Sequence, residues 1–189
     1  MREDLIRQIE AYRPFNEQEE RDRETILQML RTVDNIFLRD NLLAHMTASA
    51  WVTDPARKQI LMAYHNLYNS WAWLGGHADG NEDLLQVAVR EVREESGIDR
   101  VRPVTEEIFS LEVLTVDGQK KRGVYVPSHL HLNVTYLLEA DSREQVRVKA
   151  DENSAVGWFS LNEAVERSTE PWFQARIYRK LNQKLAGMA

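Results

Sequence analysis

Gly75-Gly76-His77-Ala78-Asp79-Gly80-Asn81-Glu82-Asp83-Leu84-Leu85-Gln86-Val87-Ala88-Val89-Arg90-Glu91-Val92-Arg93-Glu94-Glu95-Ser96-Gly97-Ile98 reads as a loop, a helix and a stop. Asp83, with Gln86 three residues on, has the pattern of a capping box and starts a helix at Leu84. Gly97 supplies the left-handed residue that ends helices, and Ile98 restarts an apolar run, so the helix covers about 84–96. Glu91, Glu94 and Glu95 stand at i, i+3 and i+4, which places three carboxylates on one face within a turn. Like charges at that spacing repel, and the C-terminal end of the helix dipole disfavours anions further. Either a solvated Glu/Arg face or a bound cation sustains such a cluster, with Arg90 reaching Glu94 at i+4. In a chain with no Cys, oxygen ligands alone point to a hard divalent ion, Mg²⁺ or Mn²⁺.

Outward from this stretch, the texture is strand-like. His45–Val52 and Gln59–Tyr64 are short apolar runs joined by the turn residues Thr53-Asp54-Pro55, and further strands are expected near 106–116, 122–126, 130–139 and 155–160. Ser160 caps a helix over Leu161–Arg167, and Pro171 opens another running toward Leu185. Residues 1 to about 43 read as helical and charged. Leu5, Ile6 and Ile9 form a stripe that ends before Pro14, and Asn16 with Glu19 starts a second helix carrying Ile26, Leu27, Leu30, Val33 and Phe37. The expected organisation is a helical N-terminal extension, 1–43, packed on the rest or on a second subunit as a homodimer, and an α/β domain over 44–189.

Composition narrows the function classes. The 189 residues carry 24 Lys plus Arg against 30 Asp plus Glu, a net charge of −6. A sequence-independent nucleic-acid binder needs the opposite sign, and no basic helix is present for DNA or a membrane surface. The absence of Cys excludes disulfides, thiolate metal sites and Cys nucleophiles. No apolar run approaches the roughly 20 residues of a membrane span, and the charged start lacks the apolar stretch of a signal peptide; a cytoplasmic protein is expected.

The quoted stretch resembles the Nudix box: Gly, five residues, Glu, seven residues, then Arg-Glu-apolar-x-Glu-Glu-x-Gly-apolar. Gly76, Glu82, Arg90, Glu91, Val92, Glu94, Glu95, Gly97 and Ile98 satisfy all nine fixed positions. By composition such a match arises in well under about one chain in a million, which outweighs the solvated-face reading. The strand order around the box is similar to that family's over roughly residues 45–165. The resemblance implies a Nudix-type α/β/α sandwich with a mixed sheet, and a hydrolase that opens a pyrophosphate bond in a nucleoside diphosphate-linked small molecule. It implies Mg²⁺ or Mn²⁺ on Glu91, Glu94 and Glu95 with the Gly75 carbonyl. Arg90 and Glu82 orient these ligands, and Gly76 lets the loop cross close to the ions. In the family a further carboxylate often precedes the last strand, as ligand or general base. Glu152 matches that position better than its neighbour Asp151.

Other candidates stand beside the box. His129 and His131 alternate on a strand and share a face, available to substrate or metal. Tyr64, Tyr68, Trp71, Trp73 and Tyr125 can stack on a base, Tyr64 and Trp73 foremost. The basic turn Asp117–Arg122 can approach phosphates. His45 and His77 resemble the metal-binding pair of Nudix-type isopentenyl diphosphate isomerases, but those enzymes need a Cys and carry a degenerate box. A non-catalytic nucleotide-binding module is the competing class. Such proteins usually lose box glutamates, and this chain keeps all of them. The substrates left open are ADP-ribose-like compounds, nucleotide sugars, nucleoside triphosphates and dinucleoside polyphosphates.

Overall fold

The computed structural model describes residues 1–121 and 123–188, so Arg122 of the basic turn lies outside the described residues. Helices α1 (Arg2–Ala11) and α2 (Glu17–Thr32) come first. Strands β1 (Ala44–Thr53), β2 (Gln59–His65), β3 (Ser70–Ala72) and β4 (Leu74–His77) lead into helix α3 (Leu84–Ser96). Then follow β5 (Val101–Pro103), β6 (Ser110–Val116), the hairpin β7 (Gln119–Lys121) and β8 (Val124–Val126), β9 (His129–Ala140) and β10 (Asn153–Ser160). Helix α4 (Leu161–Glu166) precedes a C-terminal helix, which runs from α5 (Pro171–Phe173) through a π-helical segment (Gln174–Tyr178) into α6 (Arg179–Ala186).

Every residue of β1 is buried, as expected of a strand covered on both faces. It pairs in parallel with β9 from Ala44↔Leu130 to Thr53↔Glu139, and this pair is the spine of a mixed sheet ordered β10-β2-β1-β9-β5. The other edge of β1 is shared. Its first half receives β4 in antiparallel register, and its end meets β2 at Thr53↔Ile60. β9 is shared likewise, its first half with β6 and its end with β5. Period-two alternation sorts the side chains of β1. Met46, Ala48, Ala50 and Val52 join a core with α1, α2 and α3, while Trp51 joins the core under α4 and the C-terminal helix. Helices therefore cover both faces of the sheet, as the box resemblance implied.

Several local expectations are met where the chemistry is local. The Asn16 side chain accepts from the Glu19 N–H, Ser160 and Glu163 form a full capping box, and Gly97 ends α3 at φ 70°. Others need correction. Asp83 caps α3, but Gln86 does not complete the box, because its carbonyl oxygen accepts from Asn81 Nδ2 at 2.8 Å. Helix α2 stops at Thr32, so Phe37 is buried from a loop, not from a helix. The Arg2 guanidinium ends α2 by donating to the carbonyls of Leu30 and Val33, which replaces a further turn. Strands β3, β5 and β7 are additional, Gly75–His77 of the expected loop belongs to strand β4, and β6 starts four residues later than 106. No helix among the described residues is long and apolar enough to cross a membrane.

The N-terminal helices are bound to the domain by buried charge. Glu19 of α2 is fully buried and pairs with Lys180 at 3.1 Å and Lys184 at 2.9 Å. Lys180 also pairs with buried Glu112 on β6 at 2.8 Å, so two anions and two cations balance. Tyr12 Oη and Ser110 Oγ donate to the Glu19 carboxylate at 2.6 and 2.7 Å. Burial alone would raise the Glu19 carboxyl, but Lys180, Lys184 and these hydroxyls outweigh it and hold it at about 2. The Glu19 stabilisation is thus present above the ordinary carboxylate value of 4.5 and is lost as pH falls through about 2. Glu19→Gln leaves two lysines facing the single carboxylate of Glu112, with Lys184 losing its carboxylate partner, and urea unfolding at pH 7 should show a loss of about 3–5 kcal/mol. A loss below about 1 kcal/mol would mean that the cluster behaves as a solvated surface pair.

Candidate active site

The site begins with missing side chains. Strand β4 lies against β1 with Gly75 opposite Ser49 and Gly76 opposite Ala48. A Cβ on Gly76 would come within 2.5 Å of Glu91 Cδ, and one on Gly75 within 2.5 Å of the Ala48 carbonyl oxygen. Helix α3 can therefore press its carboxylates onto bare backbone. Glu91 is only 9% exposed and Glu95 only 6%. The Gly75 N–H donates to Glu95 Oε2 at 3.1 Å. Arg90 donates to Glu91 Oε1 at 2.7 Å and to the His77 carbonyl at 3.3 Å, which fixes Glu91 from the side. Glu94 stands on the rim, its side chain 47% exposed, with Arg90 at 3.9 Å and Lys149 at 3.4 Å. The three glutamates thus form an inward pair with one outer member.

Burial, and then the charge of Glu91, push the Glu95 carboxyl up to about 8; Glu152 adds to this, while the Gly75 N–H and Lys149 oppose it.

The loop before β10 closes over this group. Asn153 is buried; its Nδ2 donates to the Glu95 carbonyl at 3.1 Å, and its Oδ1 accepts from the Lys149 N–H at 3.0 Å. Lys149 then pairs with Glu152 at 3.0 Å as well as with Glu94. Glu152 and Asp151 both line the cleft. Glu82 is placed elsewhere. Its Oε2 accepts from the Arg2 N–H at 2.7 Å, so the first glutamate of the box holds the start of α1.

The glutamates open onto a cleft of about 900 Å³. Thr47, Ser49 and Asn133 form part of its polar floor, with both hydroxyls donating to Asn133 Oδ1 at 2.9 Å. Trp73 and Phe173 contribute an aromatic wall, edge to face at 6.3 Å, and Tyr68 packs on His65 at 4.6 Å near the opening. His131 and His77 line the cleft. Tyr64 does not. Alternation along β2 turns it away from His65, and it bonds Asn69 and meets Trp71 edge-on. His129 also stands back from the lining, its Nδ1 on the Pro127 carbonyl at 2.8 Å.

Sequence reasoning missed Arg39, His65, Asn133 and Lys149, all of which line the cleft. Lys149 had a signal, since it lies at i−3 from Glu152 and four residues before Asn153. Arg39 had none. It reaches Asp79 in the box loop from the segment after α2, a pairing 40 residues apart in sequence.

Comparison with known proteins agrees with this geometry. The family model described as NUDIX domain matches residues 43–181. The bis(5′-nucleosyl)-tetraphosphatase (asymmetrical) of Sus scrofa is 28% identical over 116 residues, 61% of this chain and 72% of that protein. Among solved structures, a C. elegans Ap4A hydrolase in a binary complex superposes with TM-score 0.55 at 22% identity, covering 75% of this chain and 98% of that one. The E. coli dihydroneopterin triphosphate pyrophosphohydrolase gives 0.55 at 16% identity, covering 75% and 95%. The family model takes in most of the chain and includes both the glycine pair and the glutamate helix pressed against it. On that basis the chain belongs to the Nudix family, as a pyrophosphate-cleaving hydrolase.

Proposed function

We propose that the substrate is a nucleoside polyphosphate, with dinucleoside polyphosphates the first class to test, and that Mg²⁺ or Mn²⁺ is the working ion. The observation that carries the metal reading is the buried pair Glu91 and Glu95 against bare glycine backbone. Carboxylates with a backbone carbonyl are hard oxygen donors, the set that fits Mg²⁺ or Mn²⁺. Glu91, Glu94, Glu95 and the Gly75 carbonyl would hold the ion. When bound, it neutralises charge on two adjacent phosphates and makes a water acidic enough to act as nucleophile.

The chain's own groups have separate tasks in this reading. Arg90 holds Glu91 in position. Glu152, on the rim with Lys149, takes the proton from the attacking water as general base. Arg39, Lys120 and Lys149 line the same cleft and meet the outer phosphates. Trp73 and Phe173 offer a face for a base. The cleft lies at the upper end of the ~300–1,000 Å³ usual for ligand sites, which favours an extended substrate. The weak relatedness to the pig tetraphosphatase supports that same class.

Phosphate release coupled to alkaline phosphatase, over dinucleoside polyphosphates, nucleoside triphosphates, nucleotide sugars and ADP-ribose, tests the substrate class. Metal-dependent turnover confined to nucleotide sugars or ADP-ribose would overturn it. Glu94→Gln or Glu95→Gln should lower kcat by about 10²–10³-fold with the fold intact, the scale of removing one electrostatic stabiliser from a preorganised site. Unchanged turnover in both would refute the ligand assignment.

Proton and metal compete at Glu95. Because its carboxyl is raised from 4.5 to about 8, the metal-free chain loses stability as pH rises through that window. The gain in Tm on adding Mg²⁺ should therefore grow from pH 5.5 to pH 8 in a melting series, and a pH-independent gain would contradict the linkage. Gly76→Ala drives a methyl group into the Glu91 carboxylate, so Mg²⁺ affinity should fall by about 10–100-fold, the scale of disturbing a ligand's support. Titration calorimetry reads this directly.

A further inference from the structure

Three strands bring histidines together beside the glutamate site. His45 on β1 is the register partner of His131 on β9, and His77 on β4 stands opposite Thr47, two residues along the same face of β1. One ring nitrogen from each of His45, His77 and His131 can be chosen so that all three lie within 4.8 Å of one another. The ring centroids are 4.9–5.2 Å apart in every pairing of these three.

The hydrogen bonds fix which nitrogens carry protons. His45 Nδ1 lies 3.1 Å from the Asn41 carbonyl, and His129 Nδ1 lies 2.8 Å from the Pro127 carbonyl. A carbonyl only accepts, so each Nδ1 is the protonated nitrogen. In the neutral ring each Nε2 is then a bare lone pair. His45 Nε2 is buried with no hydrogen-bond partner, and His129 Nε2 faces His131 Nε2 at 3.2 Å. For His45, an Nδ1–H anchored on a backbone carbonyl with Nε2 left bare is the arrangement that presets imidazole for a metal, while His129 stands behind His131 as its ring partner.

We propose that His45, His77 and His131 form a nitrogen-donor site for a divalent transition-metal ion of the Zn²⁺ type, separate from the glutamates of α3. Zn–N bonds of about 2.0–2.1 Å in a tetrahedron put ligand nitrogens about 3.4 Å apart, which small ring rotations supply from the present spacing. Three imidazole nitrogens suit Zn²⁺, Co²⁺ or Ni²⁺ and do not suit Mg²⁺. His77 and His131 line the cleft, so the fourth coordination position opens toward it, where an anionic oxygen of a ligand can enter. His77 directly follows Gly76, which places this nitrogen site next to the oxygen site.

Co²⁺ is the probe. Chelator-treated full-length protein, in excess Mg²⁺ to occupy oxygen donors, is titrated with Co²⁺ and followed in the visible region. One equivalent should give the strong bands of four-coordinate, nitrogen-bound Co²⁺, and Zn²⁺ should remove them. His131→Gln and His77→Gln should each abolish the bands with an unchanged far-ultraviolet circular dichroism spectrum, while Glu91→Gln should keep them. If the His131 variant fails to fold, the half-buried His77 variant gives the reading. Absence of the bands in the unaltered chain overturns the proposal, as do bands that survive in folded His variants or vanish with Glu91→Gln. Turnover is not read, so this failure is distinct from a failure of the glutamate site.

Discussion

Two carboxylates buried against bare backbone constrain everything around them. Glu91 reaches that position because Gly76 has no side chain, since a Cβ there would meet its carboxylate, and Gly75 lets β4 lie close on Ala48 and Ser49 of β1 while its N–H holds Glu95. Once there they cannot both stay charged without compensation, since isolated buried anions cost several kcal/mol each. The surroundings show the response in stages. Arg90 donates to Glu91, the Gly75 N–H donates to Glu95, and Lys149 pairs with the exposed Glu94 rather than with the buried pair. The compensation is incomplete, and the raised Glu95 carboxyl records the remainder. In the function proposed above, a bound cation would supply the rest of the compensation.

The extension before the domain is part of the same construction. Arg2 connects three elements, with its N–H on Glu82 of the box and its guanidinium on the last carbonyls of α2. Arg39, just after α2, reaches Asp79 in the box loop. Buried Glu19 joins Lys180, Glu112 and then Asn133, whose Oδ1 receives the two hydroxyls of the cleft floor. Polar contacts therefore run from α2 through the C-terminal helix and β6 to the cleft. The family match starts at residue 43, yet the two helices in front of it are tied to the box loop and to the floor.

What was legible in the sequence follows the range of the interactions. Helix α3, the Asn16 and Ser160 caps and the Gly97 stop are set by neighbours within four residues, so pattern alone located them. The glutamate spacing exposed the chemistry for the same reason. The end of α2 was misjudged because Arg2 replaces its last turn from 28 residues away. Tyr64 was expected in the cleft from its residue type, but the pleat of β2 gives that place to His65. Arg39 and the partners of Glu19 come from distant segments, and a sequence shows charges without showing which of them will meet.

The cleft also sets two donor chemistries side by side. Oxygen donors lie on α3, and nitrogen donors lie on β1, β4 and β9, with Gly76 and His77 as the adjoining residues. Divalent ions sort by such differences, because carboxylate sites accept Mg²⁺ readily while imidazole sites favour transition metals. The geometry sharpens the distinction. Glu91 and Glu95 are held by Arg90 and the Gly75 N–H, whereas the His45 ring is held by the Asn41 carbonyl on its far nitrogen. The two sets nonetheless share an anchor, since Arg90 of α3 holds Glu91 and also donates to the His77 carbonyl at 3.3 Å. A change at Arg90 therefore reaches both the Glu91 carboxylate and the backbone that carries the His77 ring, and a shift of β4 moves the donor of Glu95 together with that ring.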